Sequence, residues 1–225
     1  MPFTITISEV KCILKQLKNN KASSDDLIIN EMLKYSANVT LPAMVKVFNL
    51  VLESGVFPQQ WNNTYQVPVH KGGDTVNCDN YRGISITSCL GKVFSSVLSE
   101  RLNKFLDERN ALSSSQAGFR KNCGTLDHMF TLKALINKYV KRQKSSMYAC
   151  FVDFRKAFDT VWREGIFLKL NRLGIDGNYY HLIKNMYSNT KSSVKLPNGL
   201  IFECQPIHVV DEVVYLGITW TFSGE

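Results

Sequence analysis

The residues best placed to do chemistry are Asp153, Arg155, Lys156 and Asp159, packed into seven positions. Asp153 closes an apolar run. Met147, Ala149 and Phe151 share one parity, and Tyr148, Cys150 and Val152 share the other. Apolar residues on both parities predict a strand buried on both faces. A carboxylate at the end of such a strand is costly unless something pairs with it. One reading is a turn, which Asp favours. The other is a metal-binding carboxylate on a rigid strand end, because Mg²⁺ takes hard oxygen ligands from one or two carboxylates plus substrate phosphates.

A second set of charges brackets a glycine-rich loop. Tyr65–Asp74 and Asn80–Ile86 read as two short strands around a glycine-rich polar loop, and they carry Lys71, Gly72, Gly73 and Arg82. That pattern predicts a hairpin. A lysine offers a point charge to a phosphate and an arginine offers a planar fork. The same residues would also serve as ordinary surface charges. Net charge is +8, and residues 101–150 hold 10 Lys/Arg against 3 Asp/Glu. A concentrated basic excess suits a phosphate backbone, though solvated helix faces give the same count.

The elements that must position these groups are mostly helical. Val10, Ile13, Leu14 and Leu17 predict a helix over 8–19 capped by Ser8. A polar loop, Asn19–Asp26, follows. A helix over 41–54 has Thr40 as its cap, Pro42 in its first turn and Gly55 as its stop. Pro58 and Trp61 read as a turn and a core anchor. A long amphipathic helix spans 89–109. Thr125 caps a helix to about Lys141, with Met129, Phe130, Ile136, Tyr139 and Val140 as its core stripe. Helices over 161–173, stopped by Gly174, and 178–188, with Ile183, Met186 and Tyr187 inward, come after Asp159. Pro197-Asn198-Gly199 then predicts a hairpin between Thr190–Leu196 and Leu200–Cys204.

Composition excludes several classes. The 225 residues, 44% apolar, suffice for one large domain or two lobes. No apolar run is long enough for a transmembrane helix, and the N-terminus has no basic-then-apolar leader pattern. Six scattered cysteines and four unpaired histidines give no zinc spacing, so a reduced intracellular setting, nucleus or cytoplasm, is expected.

The run Phe151–Asp159 resembles the first catalytic palm motif of reverse transcriptases, in the Lys-Ala-Phe-Asp form of non-LTR (LINE-type) retrotransposons. Several ordered blocks extend the resemblance over nearly the whole chain. Gly55–Trp61 matches the family's Gly-x-x-Pro-x-x-Trp, and Gln116–Arg120 matches its Gln-x-Gly-Phe-Arg. Asn19–Asp26 is similar to its Asn-Lys-Ala-Pro-Gly-x-Asp-Gly loop without the Pro and both Gly. The resemblance implies that Asp153 binds the catalytic Mg²⁺ pair and that Phe158 is the steric gate at the sugar. It gives Lys71 and Arg82 the incoming triphosphate, and Gln116, Gly118 and Arg120 the template and nucleotide cleft. Phe119 is expected to pack. Asp159 belongs to the motif without being a metal ligand.

The resemblance breaks between about Glu203 and Val209. There the family carries a Gly-Val-Arg-Gln-Gly-x-x-Leu-Ser-Pro block and then a Tyr/Phe-x-Asp-Asp turn, and this chain has neither. Asp211-Glu212 reads as a strand-edge acid pair or as a substitute metal pair. The expected fold is α+β, the fingers and partial palm of a right-hand polymerase: a helical segment over 1–60, a fingers-like region over 61–145 and a partial palm over 146–225. The expected function is that of an RNA-directed DNA polymerase domain that is catalytically incomplete. Its partners would be an RNA template, a DNA primer or RNA–DNA duplex, and deoxynucleoside triphosphates, with no membrane. A non-catalytic nucleic-acid-binding remnant is the competing reading. A helical protein-interaction module is a third.

Overall fold

A computed structural model describes residues 4–154, 157, 160–188, 190–196, 201–203, 212–215 and 218–221, with side chains to Ile201. The helices are α1 (Ile7–Gln16), α2 (Asn30–Tyr35), α3 (Ala37–Ser54), α4 (Gln59–Asn62), α5 (Cys89–Glu108), α6 (Thr125–Leu135), α7 (Arg163–Arg172) and α8 (Gly177–Ser188). The strands are β1 (Asn63–His70), β2 (Tyr81–Ile86), β3 (Lys191–Lys195), β4 (Ile201–Glu203), β5 (Glu212–Tyr215) and β6 (Ile218–Thr221). The chain is thus mixed α and β and rich in helix. It divides into two compact units, Pro2–Leu98 with Asp176–Glu225, and Ser99–Ile175, with the division inside α5.

The first unit is built around an aromatic cluster. Phe48 of α3 and Phe94 of α5 are fully buried, with ring centroids 5.3 Å apart. Trp61 packs on both, at 5.8 Å and 5.7 Å, and on Phe57 at 5.6 Å. Each such pair adds roughly 0.5–1.5 kcal/mol to the burial itself. Gly91 permits this approach, because a Cβ there would stand 2.9 Å from Trp61 Cβ. Gly55 ends α3 in the left-handed region at φ 68°, the stop expected of a glycine there. The Phe57 amide donates to Asn185 Oδ1 at 2.9 Å, and the Tyr179 hydroxyl donates to the Leu98 carbonyl at 2.7 Å, which ties α8 to the cluster.

Several boundaries differ from the sequence expectation for local reasons. Thr6, not Ser8, caps α1: it forms a capping box with Glu9, and two reciprocal bonds outweigh one. Helix α3 starts at Ala37, before Thr40. Pro42 therefore sits inside it and costs it one bond to the Asn38 carbonyl. Asp127 accepts from the Gly124 amide at 2.7 Å, so the cap of α6 lies one residue before Thr125. Helix α8 turns Tyr179 and Leu182 inward, and Tyr187 is exposed.

In the first unit four strands pair in the order β2-β1-β3-β4, with β1–β2 and β3–β4 antiparallel and β1–β3 parallel. The expected pairing of the strands around Pro197-Asn198-Gly199 is present, and the turn itself lies outside the described residues. Pro68 is tolerated in β1 because the pairing with β3 covers only Asn63–Gln66. Strands β5 and β6 pair with each other.

The second unit is sparsely cored. Phe167, Leu170 and Ile175 are its buried apolar residues among those described, and Arg101 is buried as well. Arg109 lies 4.2 Å over the Phe105 ring and donates to the Leu173 carbonyl at 2.8 Å. Helix α6 runs into a π-helical segment, Ile136–Arg142, and neither contains a buried residue. The stripe expected to be core is therefore largely exposed: Phe130 is 74% accessible. The strand expected over 147–152 is absent as well. Residues 145–154 have no regular structure, and Tyr148 is 94% and Phe151 83% accessible. A strand needs a neighbour for its N–H and C=O groups. Among its described residues this unit offers none.

Candidate nucleic-acid interface

Lys71 and Arg82 are positioned by the β1–β2 hairpin. Val69 stands opposite Arg82, and the Lys71 amide donates to the Asn80 carbonyl at 2.7 Å, which carries the register one step past β1. Side chains directly opposite, or two apart on one strand, share a face. Lys71 and Arg82 are therefore neighbours on one face, both exposed. His70 and Tyr81 lie on the other, with ring centroids 5.1 Å apart.

The connecting loop is held by its own hydrogen bonds. Asn80 Nδ2 donates to the Asp74 carbonyl at 2.8 Å and the Tyr81 hydroxyl to the Thr75 carbonyl at 3.0 Å. Gly72 and Gly73 turn the chain at φ 114° and 87°, values that strain any residue with a Cβ. The Lys71 ammonium lies 3.5 Å from the Asp79 carbonyl.

The base of the sheet is tied to the N-terminal polar loop. The Tyr65 hydroxyl donates to Asp25 Oδ1, and that bond pushes the Tyr65 pKa up. Ser88 donates to Asp26 Oδ2 at 2.8 Å, and the Asn20 amide donates to Glu31 Oε1. The loop turns at Asn20 and Leu27, both with positive φ, in place of the missing Pro and Gly.

In the other unit, Gln116, Gly118 and Arg120 come together in one loop. Gln116 Nε2 donates to the Gly118 carbonyl at 3.3 Å. Arg120 donates to the Ser113 carbonyl at 3.1 Å and lies 3.8 Å from Asp107, so its guanidinium is engaged in holding the loop to the end of α5. A Cβ at Gly118 would meet nothing within 4 Å. Phe119, expected to pack, is exposed at φ 60°. Asp153 is exposed on the irregular segment. Phe158, Asp159 and Asp211 lie outside the described residues.

Among the described residues no group of three or more His, Cys, Asp or Glu is close enough to hold a metal ion. Asp153 is the described carboxylate at the expected Mg²⁺ position, an ion that takes one or two carboxylates plus substrate phosphates. No described helix is long and apolar enough to cross a membrane.

Sequence reasoning missed Lys191 and Lys195. Their shared parity was readable in Lys191-Ser192-Ser193-Val194-Lys195. Their position beside β1 was not, since it depends on a parallel pairing across more than a hundred residues.

Comparison with known proteins matches the family described as reverse transcriptase (RNA-dependent DNA polymerase) over residues 69–218. The RNA-directed DNA polymerase from mobile element jockey of Drosophila melanogaster is 32% identical over 172 residues, which are 75% of this chain and 18% of that protein. The probable RNA-directed DNA polymerase from transposon BS of the same species is 28% identical over 197 residues, 87% of this chain and 21% of that protein. The retrovirus-related Pol polyprotein from type-1 retrotransposable element R2 of Popillia japonica is 28% identical over 195 residues, 87% of this chain and 26% of that protein. The chain spans about a fifth to a quarter of the length of these relatives.

Proposed function

The chain belongs to the reverse transcriptase (RNA-dependent DNA polymerase) family, related to the polymerases of non-LTR retrotransposons, and from that premise we propose that it is a fingers and partial-palm region that retains nucleic-acid contacts and has lost catalysis. The observation that carries this reading is the contrast between two sites. The hairpin presenting Lys71 and Arg82 is formed and hydrogen-bonded. The segment 145–154, which contains Asp153, forms no strand.

In this reading Lys71 and Arg82 hold phosphates, of a nucleotide or of a strand. Gln116, Gly118 and Arg120 line the template side, and Phe158 stands where the family senses the sugar. The partners are an RNA template, a DNA primer or RNA–DNA duplex, and deoxynucleoside triphosphates. Two-metal phosphoryl transfer needs carboxylates around both ions. Asp153 alone does not supply them, so Mg²⁺ is not held productively. The region over 61–145 is the fingers and 146–225 the partial palm, with the family's Asp-Asp turn deleted.

The test is primer extension on an RNA template with Mg²⁺ or Mn²⁺. No incorporation above a blank without protein is expected from the purified chain, while labelled RNA is bound in the same buffer at low salt. Template-dependent incorporation would overturn the loss of catalysis and bring Asp211 or Glu212 into the site. Absence of binding would overturn the retained contacts.

A further inference from the structure

The register of the four-stranded sheet sorts its charges by face. On β1 the positions Tyr65, Val67 and Val69, and Lys71 just beyond, share one face. Opposite them on β2 stand Ile84 and Arg82. The parallel pairing sets Tyr65 beside Ser193 and Asn63 beside Lys191, so Lys191 and Lys195 of β3 share that same face. The Lys195 ammonium lies 5.7 Å from the centre of the Tyr65 ring, as shared facing requires. The opposite face carries Thr64, Gln66, Pro68 and His70 on β1, Tyr81, Gly83 and Ser85 on β2, and Ser192 and Val194 on β3. Thus Lys71, Arg82, Lys191 and Lys195 all fall on one face, and no Lys or Arg falls on the other. Glu203 holds the register position opposite Ser193 on the edge strand β4, and Asp25 accepts from the Tyr65 hydroxyl, so four cations stand against two acids at this face.

We propose that this face, with Lys191 and Lys195 continuing the track begun by Lys71 and Arg82, binds one single strand of RNA or DNA laid across the sheet. The proposal rests on the nucleic-acid reading above and extends it to residues outside the hairpin. Lys191 stands level with Asn63, and Lys71 lies eight residues further along β1. At about 3.3 Å per residue the cations cover a track of roughly 27 Å. All four are exposed, and the described ion pairs, Lys104–Glu108, Arg120–Asp107 and Lys121–Glu100, involve none of them.

The ground between the cations selects the single strand. Val69 and Ile84 are about half exposed there, and Tyr65 and Val67 partly so. A duplex offers such a surface only phosphates and sugars. A single strand offers unstacked bases as well, and apolar and aromatic side chains receive them.

The experiment is fluorescence anisotropy of a labelled 12-nucleotide oligouridylate, and of a blunt RNA duplex of equal length, titrated with the full chain from about 25 to 300 mM salt. Each neutralised phosphate of a single strand contributes roughly 0.7 to the log–log slope. K191Q/K195Q should therefore flatten the slope by about 1.4 and weaken low-salt binding roughly tenfold or more. K191R/K195R should restore both. K11Q/K15Q, with equal loss of charge on α1, should leave the slope unchanged. Far-UV circular dichroism verifies that each variant is folded. If K191Q/K195Q binds like wild type while K71Q/R82Q loses affinity, the extended track is wrong and the hairpin contacts stand. If K11Q/K15Q loses as much as K191Q/K195Q, the binding is diffuse and the track is wrong. A duplex that binds more tightly through the same lysines overturns the choice of a single strand. If the unmodified chain binds neither probe, the nucleic-acid reading fails with the track.

Discussion

Two stretches of this chain both carry many large apolar residues and have opposite fates. Around α3, the first half of α5 and α8, the patterned residues are buried: Phe48, Phe94 and Leu182 are inaccessible to solvent. Between Ser99 and Ile175 the apolar residues of α6 lie on no single face, and Leu126, Met129, Phe130 and Phe151 are exposed. Helical or alternating periodicity states which face an element would bury. It does not state that anything will be there to bury it. In the first stretch the partner elements lie within the chain, and the Trp61 ring and Gly91 let them close. In the second, the described residues include no strand to pair with the segment ending at Asp153.

The largest effect that would break this comparison is a core truncation set against its counterpart. Phe94→Ala should destabilise the chain by roughly 3–5 kcal/mol, since it removes a buried ring from a cluster that cannot collapse around the gap. Phe130→Ala should change stability by no more than about 0.5 kcal/mol, as an exposed position does. Urea unfolding followed by circular dichroism measures both. Equal losses would mean that α6 is covered in solution, and a loss that grows with protein concentration would mean that another copy covers it.

Thiol reactivity sharpens the same contrast residue by residue. Burial pushes the Cys89 pKa up and hides its sulfur, whereas Cys123 and Cys150 are exposed. Cys89 should react with a small aromatic disulfide at least about a hundredfold more slowly than Cys123 or Cys150, because it must wait for the unit to open. Measuring single-cysteine variants at pH 8 isolates each rate. A Cys150 as slow as Cys89 would show that residues 147–152 form their strand after all, and the contrast between the two regions would narrow to α6.

What was legible from sequence follows the range of the interaction that decides it. The bounds of α5, the stop of α3 at Gly55 and the hairpin carrying Lys71 and Arg82 depend on neighbours a few residues away. Each was readable from periodicity, a glycine or a turn. The cap of α1 was readable too, since Thr6 and Glu9 satisfy the capping-box spacing that Ser8 does not. The placement of Lys191 and Lys195 beside β1 was not, because parallel strands meet through a long crossover whose register no local pattern encodes. Nor was the exposure of Phe130 and Phe151, which depends on whether a distant element packs over them. The Gln116–Arg120 loop was found by resemblance. That Arg120 spends its guanidinium on the Ser113 carbonyl and Asp107 was visible only in the geometry.

The smallest expected effect concerns why the first unit keeps its polar N-terminal loop in place. The Asn20 amide donates to Glu31, and this bond, with the Glu31 backbone and Lys34 adding to it, holds the Glu31 pKa below its ordinary value. A carboxylate whose folded pKa is depressed stabilises the fold above its unfolded pKa, here 4.5. That contribution is lost as pH falls from there through the folded value. Glu31→Gln should therefore be slightly less stable than wild type at neutral pH. The difference should shrink below about pH 4.5, because the wild-type carboxylate then becomes protonated as well. Urea midpoints of the two proteins between pH 3 and 7 give the difference curve. A difference that stays constant across that range would show that the charge of Glu31 does not hold the loop. The loop would then be held by its other bonds, among them Asn30 Nδ2 to the Lys18 carbonyl at 2.8 Å and those to Asp25 and Asp26.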